Sequence, residues 1–450
     1  MMVMPLSEAA QVLDAKQWGA DVTFRGISTD TRTLSEGNLF VALQGPNFDG
    51  HDYLEQARRQ GAVAAAVSRV SNEQMPLLEV KDTRIALGEL AAHWRSQFAI
   101  PLIAVTGSNG KTSVKEMLAS ILRRCGETLV TQGNLNNDIG VPLTLFRLSS
   151  KHEYAVLELG ANHPGEIACL TDLARPSVGV VNNAGPAHLE GFGDVSDVAK
   201  AKGELFEGLA PDAVCVINAD DAFADLWNSM ASPRRIISFG LSAAAEVAAR
   251  WTGDISGSDV ELMTPAGTAS LRLALPGQHN VMNALAATAG ALALNITLED
   301  IVCGLADVRP LGGRWQSQPG INGAQLINDT YNANPASLQV ALDLLCKADA
   351  ETWLVLGDMG ELGEEGKELH RKVGEEARQA GVEHLFALGD LAAEAADAFG
   401  KGSERFTDLD SLNMRLKKLV HPGVIVLVKG SRAMRMERVV QALRPDQGGA

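Results

Sequence analysis

Pro101-Leu102-Ile103-Ala104-Val105-Thr106-Gly107-Ser108-Asn109-Gly110-Lys111-Thr112 reads as an apolar strand running straight into a glycine-bearing turn, with a helix expected over 111–124. Glycines let the backbone wrap a phosphate, and successive N–H groups point inward at the start of a helix. Lys111 supplies a point charge, and Thr112 can set its hydroxyl on Mg²⁺. Gly107, Ser108, Asn109, Gly110, Lys111 and Thr112 are therefore candidate nucleotide-binding residues. The spacing GxxGKT is shorter than the general GxxxxGK[ST], because Val105 stands where the first glycine would be. A tight strand–turn–helix without a ligand is the plain alternative, and the Gly-Lys-Thr run in strand context favours phosphate.

Working outward, further apolar runs at 154–159, 178–182 and 213–218 alternate with helical stretches, which fits a mostly parallel sheet covered on both faces. Upstream, 84–98 is helical. Before it come short strand-and-turn segments at 26–32 and 38–43, a polar loop at 44–51 and a helix at 52–60 closed by Gly61. Residues 80–83 read as a linker. Downstream, Pro310-Leu311-Gly312-Gly313 reads as a hinge. Beyond it, apolar runs at 326–328, 353–356, 385–388 and 424–428 alternate with amphipathic helices at 335–347, 364–379, 391–399 and 409–419, the pattern of a doubly wound Rossmann-like domain. The expected fold is α/β in three domains: a small N-terminal α/β module (1–82), a central P-loop-type domain (83–312) and a C-terminal Rossmann-like domain (313–450).

The chain has 450 residues, 46% hydrophobic and 21% charged, which suits several packed cores and excludes disorder. Its net charge of −16 disfavours nucleic acid and anionic membranes, so any phosphate must be held locally against the overall field. The five cysteines are scattered and form no CxxC pair, as in a reducing compartment. The start, MMVMPLSEAAQVL, shows no basic region followed by an apolar run, and the apolar stretch at 284–294 is too short to span a bilayer. A cytoplasmic monomer with no membrane span is expected.

Several residues beyond the loop carry chemistry. Glu158 ends an apolar strand beside the edge where open α/β sheets bind ligands, and a carboxylate there suits Mg²⁺; a solvated or helix-capping acid is the alternative. His188, in a loop, is by residue type most often a surface group, since Mg²⁺ prefers oxygen. Lys202, between Lys200 and Glu204, reads as a solvated helix lysine. Asn280 and Asn283 stand at the entry of an alanine-rich helix and could cap it. Asp329, Tyr331, Asn332 and Asn334 cluster before a helix with Pro335 at its first position. Asp358 lies at the end of a predicted strand. Ser28, Asp30 and Arg32 form either an anion-binding turn or one stapled by its own Asp–Arg pair.

The shortened phosphate loop resembles that of the Mur ligase family. GNLNNDIGVPLTL (133–145), LELGA (157–161), NNAGPAHLEGFG (182–193), AKGE (201–204), GQHNVMNALAA (277–287) and Gly312-Gly313-Arg314 follow it in that family's order. DTYNANP (329–335), LGDMGELG (356–363) and VKGSR (428–432) resemble the branch that adds a D-alanyl-D-alanine dipeptide to UDP-N-acetylmuramoyl-tripeptide. The resemblance implies a carboxylate activated by ATP as an acyl phosphate and attacked by the dipeptide amine, in assembly of the peptidoglycan precursor. It implies Mg²⁺ held by Thr112, Glu158, His188 and Lys202, with Lys202 carbamylated to turn a repelled cation into an oxygen ligand. Lys111, His188 and Lys202 become the catalytic candidates. Asn280, Asn283 and a swinging Arg314 go to ATP, while Asn136 and Asn137 go to the nucleotide and substrate. Asp329, Tyr331, Asn332, Asn334 and Asp358 go to the third-domain site. Ser28, Asp30, Arg32, Asn47 and His51 go to the UDP-muramoyl-peptide, with Thr31 standing where the family usually has Ser. A sister ligase adding one amino acid or glutamate shares the loop, and Tyr331 to Pro335 argues against it. An ATP-hydrolysing switch is a third reading, disfavoured by the order of motifs.

Overall fold

Alternation of side chains explains the strand before the phosphate loop. In Leu102–Thr106 every residue is buried, Leu102 and Ala104 on one core and Ile103 and Val105 on another. The computed structural model describes residues 2–70, 74–185, 192–242 and 244–445. The strand sits in a nine-stranded sheet ordered Thr128–Val130, Tyr154–Glu158, Leu102–Thr106, Val178–Val181, Val214–Asn218, Arg235–Gly240, Val247–Asp254, Gly257–Thr264, Gly267–Leu273. Pairing is parallel as far as Val247–Asp254. Helices Lys111–Leu122, Gln278–Ala293 and Leu298–Ala306 cover one face. Thr83–Ser96, Gly140–Leu145, Glu166–Ala174 and Val195–Glu207 cover the other.

The connection from Leu102–Thr106 leads toward one edge of the sheet and that from its neighbour Val178–Val181 toward the other, so the crevice that binds ligands in such folds opens at the C-terminal ends of these two strands. The last three strands form an antiparallel meander that the sequence reading does not contain. They are half-exposed strands of seven or eight residues joined by tight turns, and although Gly253 to Gly257 and Thr264 to Gly267 mark those turns, the strands between them carry no continuous apolar run.

The third sheet runs Gln316–Pro319, Gln325–Asp329, Val424–Lys429, Glu351–Gly357, His384–Leu388, Ser403–Phe406, parallel except for its first strand. Pro335–Leu345, Gly366–Gln379 and Asp390–Phe399 pack on one face, Leu409–Leu419 and Glu437–Ala442 on the other, as a doubly wound domain requires. The N-terminal segment builds a five-stranded sheet within residues 16–79.

The expected linker at 80–83 falls between Leu77–Glu79, a strand of the first sheet, and helix Thr83–Ser96 on the central one, and its end caps that helix. Asp82 Oδ1 accepts the N–H groups of Arg84 (2.7 Å) and Ile85 (3.1 Å). Met2, Met4, Phe24 and Leu39 share one hydrophobic core with Leu102 and Leu157, so the first sheet is packed on the central one. Among the described residues no helix is long and apolar enough to cross a membrane. All five cysteines are free thiols.

Candidate functional site: a phosphate loop under a third-domain arginine

The loop after Leu102–Thr106 is gripped from behind by two asparagines that follow the neighbouring strand. Asn183 Oδ1 accepts the Asn109 N–H (2.9 Å), its Nδ2 donates to Asn109 O (3.1 Å), and its carbonyl accepts the Ser108 N–H (3.0 Å). Asn182 Nδ2 donates to Asn109 O (3.0 Å) and to Asn283 Oδ1 (2.9 Å). Gly110 closes the turn at φ +79°, and an added Cβ would collide with Asn283 Oδ1 and Asn182 Nδ2. Only glycine meets both demands.

Neither Asn280 nor Asn283 caps its helix: Gly277 is the N-cap of Gln278–Ala293, and both asparagines sit inside the helix. Asn280 Nδ2 donates to Pro276 O (2.8 Å), and Asn283 reaches the loop through Asn182. Sequence reading passed over Asn182 and Asn183 as ligand or clamp residues. Their signal is two adjacent amides at the C-terminal end of a wholly buried strand.

Lys111 begins the helix, and its Nζ folds back onto Gly107 O (2.7 Å) and Ser108 O (3.3 Å). Burial lowers its pKa, the charge of Glu158 opposes that, and the nearby Arg314 adds to it. Glu158 is 3% exposed: Oε1 accepts from Asn136 Nδ2 (2.9 Å), while Oε2 has no hydrogen-bond partner among the described residues. A buried carboxylate oxygen left bare is costly and marks a place for a cation. Thr112 Oγ1 accepts from Arg314 Nη2 (3.2 Å), and Arg314 stacks 4.2 Å over the Tyr331 ring. The hinge arginine thus already lies on the loop.

Lys202 departs from the solvated lysine that its neighbours suggest. It is 3% exposed on Val195–Glu207, with no hydrogen bond or ion pair from any described residue. Its Nζ lies 5.6 Å from the Phe192 ring centre. Burial first, and Lys111 second, bring its pKa down to about 7, against the pull of Glu166 and Glu204. His188 lies outside the described residues, and among those described no group of three His, Cys, Asp or Glu side chains could hold a metal.

In the third domain Asp329 pairs with the buried Lys429 (2.5 Å) and accepts the Trp315 N–H (3.1 Å). Lys429 Nζ also donates to Asn332 O (3.1 Å). Asn334 makes a reciprocal capping box with Ser337 at the start of Pro335–Leu345. Asp358 Oδ1 accepts the Ala392 N–H (2.7 Å), so its carboxylate is engaged by helix Asp390–Phe399. Asn137 Oδ1 accepts the Gly140 N–H (2.9 Å).

The N-terminal candidates stand apart, with no hydrogen bond to the phosphate loop among the described residues. Arg32 staples Asp30 (2.6 Å) while remaining largely solvent-facing, and Ser28 Oγ donates to Asp30 O (3.0 Å). Asn47 is exposed in a hairpin turn. His51 is buried with both ring nitrogens used: Nε2 accepts the Ser68 N–H (3.0 Å), so Nδ1–H donates to Asp49 (2.6 Å).

Strand, phosphate loop, bare carboxylate and overlying arginine define an α/β protein of the P-loop class in which Arg314, just past the central domain, lies on the loop. Within that class the chain belongs to the Mur ligase family. Family models described as Mur ligase family, catalytic domain, as Mur ligase middle domain, and as Mur ligase, glutamate ligase domain match residues 23–95, 105–291 and 313–432. The chain is 45% identical to the UDP-N-acetylmuramoyl-tripeptide–D-alanyl-D-alanine ligase of Escherichia coli (strain K12), over 99% of both chains. It is similar to a crystal structure of MurF from Acinetobacter baumannii (TM-score 0.92, 36% identity, 98% and 99% covered). It is also similar to MurF of Thermotoga maritima in complex with ADP (TM-score 0.83, 29% identity, 93% and 96% covered).

Proposed function

We propose that this chain joins D-alanyl-D-alanine to the C-terminal carboxylate of UDP-N-acetylmuramoyl-tripeptide, using ATP, and so completes the UDP-MurNAc-pentapeptide precursor of peptidoglycan in the cytoplasm. The observation that carries the reading is the convergence of Lys111, Thr112, Glu158, Lys202 and Arg314 on one crevice, in a chain nearly half identical over its length to an enzyme named for that reaction. The central domain (83–312) takes ATP, the N-terminal one (1–82) the UDP end through Ser28, Asp30, Arg32, Asn47 and His51, and the third (313–450) the dipeptide.

The substrate carboxylate attacks the γ-phosphorus and ADP leaves, giving an acyl phosphate. The dipeptide amine then adds to the acyl carbon, and the tetrahedral adduct expels phosphate and releases a proton. Lys111 holds phosphoryl oxygens as charge moves onto them, and Arg314 brings a second cation from the closing domain. Closure keeps water from the acyl phosphate.

The residues fit Mg²⁺: Glu158 Oε2 is buried and unpartnered, and the Thr112 hydroxyl heads the helix. Thr112, Glu158, His188 and a carbamylated Lys202 would hold it, and when bound it neutralises phosphate charge. Lys202 suits carbamylation because a pKa of about 7 leaves much of the amine neutral, the form that reacts with CO₂ and loses one proton.

ATP-dependent phosphate release with and without each substrate, with products weighed by mass spectrometry, tests the reading. Release that needs both partners, and a product heavier by the dipeptide less water, is expected. Turnover with a single amino acid or glutamate instead would reassign the chain to a sister ligase.

A further inference from the structure

Lys115 lies one helical turn beyond Lys111, 1% exposed, and nothing in the nucleotide site uses it. Its Nζ donates to Thr131 O (3.0 Å) and pairs with Glu116 Oε1 (2.8 Å). Burying an ammonium is expensive, and an apolar side chain would fill the same space without that cost. Beside the pair with its own neighbour Glu116, what the charge adds is a hold on one carbonyl of another segment.

That carbonyl belongs to a junction. Strand Thr128–Val130 pairs with Tyr154–Val156 and its ladder stops at Val130. Thr131, 1% exposed, carries the connection further: its N–H donates to Val156 O (3.1 Å), and its Oγ1 accepts the N–H of Glu158 (3.0 Å). The chain then turns into the loop that bears Asn136, which donates to Glu158 Oε1 and accepts the Gly160 N–H on its carbonyl (2.8 Å). Both the backbone and the side chain of Glu158 are therefore held by a segment whose root Lys115 fastens to the phosphate-loop helix.

We propose that Lys115 is a positioning residue for the reaction: acting through Thr131, it sets the Glu158 carboxylate against the phosphate loop so that its free oxygen faces the cation bound with ATP. This rests on the reading of Glu158 as a Mg²⁺ ligand.

The test is the ADP dissociation constant of the full-length protein by calorimetry, with and without Mg²⁺, for wild type, Lys115→Met, Thr131→Val and Glu158→Gln. In Lys115→Met the tightening of ADP by Mg²⁺ should shrink about tenfold, the scale for partners behind a metal ligand, while metal-free ADP affinity is unchanged. Thr131→Val should show the same loss, and the double variant no more than the larger single loss, because the two act along one path. A Lys115→Met protein with lowered melting temperature but intact Mg²⁺ effect, or with both affinities lowered equally, would overturn the proposal. If Lys115→Met does not fold, Thr131→Val decides in the same way. A Glu158→Gln protein that keeps the Mg²⁺ effect would instead overturn the metal reading itself.

Discussion

Lys202 illustrates how burial changes the chemistry of a residue that its neighbours misrepresent. Flanked by Lys200 and Glu204 it reads as surface, yet helix geometry turns it inward while Lys200 faces Asp197 at 2.9 Å in solvent. With a pKa of about 7, the free amine is increasingly protonated below neutrality, so carbamate should form more readily above it. Carbon-13 bicarbonate should give a carbamate resonance in the wild type that fades as pH falls below about 7 and is absent in Lys202→Arg. An identical resonance in that variant would place the carbamate elsewhere. Lys111→Ala should abolish phosphoryl transfer with an unchanged melting profile, and near-normal turnover would contradict the loop assignment. The loop and Glu158 were legible because local pattern carries them: strand, glycine turn, Gly-Lys-Thr, and an acid ending an apolar run. Asn183 was not, because its partner Asn109 is 74 residues away and only the folded sheet makes them neighbours.

Elements repeat that division. Strands buried on both faces and helices with one apolar stripe appeared within a few residues of their expected bounds, as Leu409–Leu419 does. The antiparallel meander at Val247–Asp254, Gly257–Thr264 and Gly267–Leu273 was missed because strands with one wet face lack a continuous apolar run. Two substitutions probe the elements that bear the site. Gly110→Ala meets both a left-handed backbone and the two asparagine side chains, so ADP affinity should fall more than about tenfold. Gly133→Ala, at φ +56° with nothing within 4 Å, should cost only about 1 kcal/mol of backbone strain. Equal ADP binding in the two variants would show that the clamp is not what demands glycine. Asn334→Ala, which opens the capping box of Pro335–Leu345, should lose about 1 kcal/mol in urea unfolding whatever it does to substrate binding.

At the scale of the whole molecule, the contacts that cross the hinge set the third domain over the central one. Arg314 reaches Thr112, the Trp315 indole N–H donates to Ile255 O (3.3 Å) at the tip of the meander, and Ile255 packs into the third-domain core. His279 completes this seam: it leads the helix that carries Asn280 and Asn283, and it lies within electrostatic reach of Asp329 and Lys429. Burial is the main force on its ring and Lys429 adds to it, outweighing Asp329, so its pKa drops from 6.5 to about 4. Asp329 and Lys429 belong to the third domain and pull in opposite directions, so what couples the ring to closure is its burial at this seam, which an open arrangement would relieve. The closed arrangement therefore binds fewer protons than an open one in which His279 titrates near 6.5, and low pH favours opening. The contribution to closure is complete above about 6.5 and is lost as pH falls through about 4. Small-angle scattering with ADP bound should show a radius of gyration that grows over that window in the wild type and changes much less in His279→Gln, which keeps the size of the ring's polar edge but cannot titrate. Parallel expansion of the two proteins would assign the opening to other groups and leave His279 as packing alone.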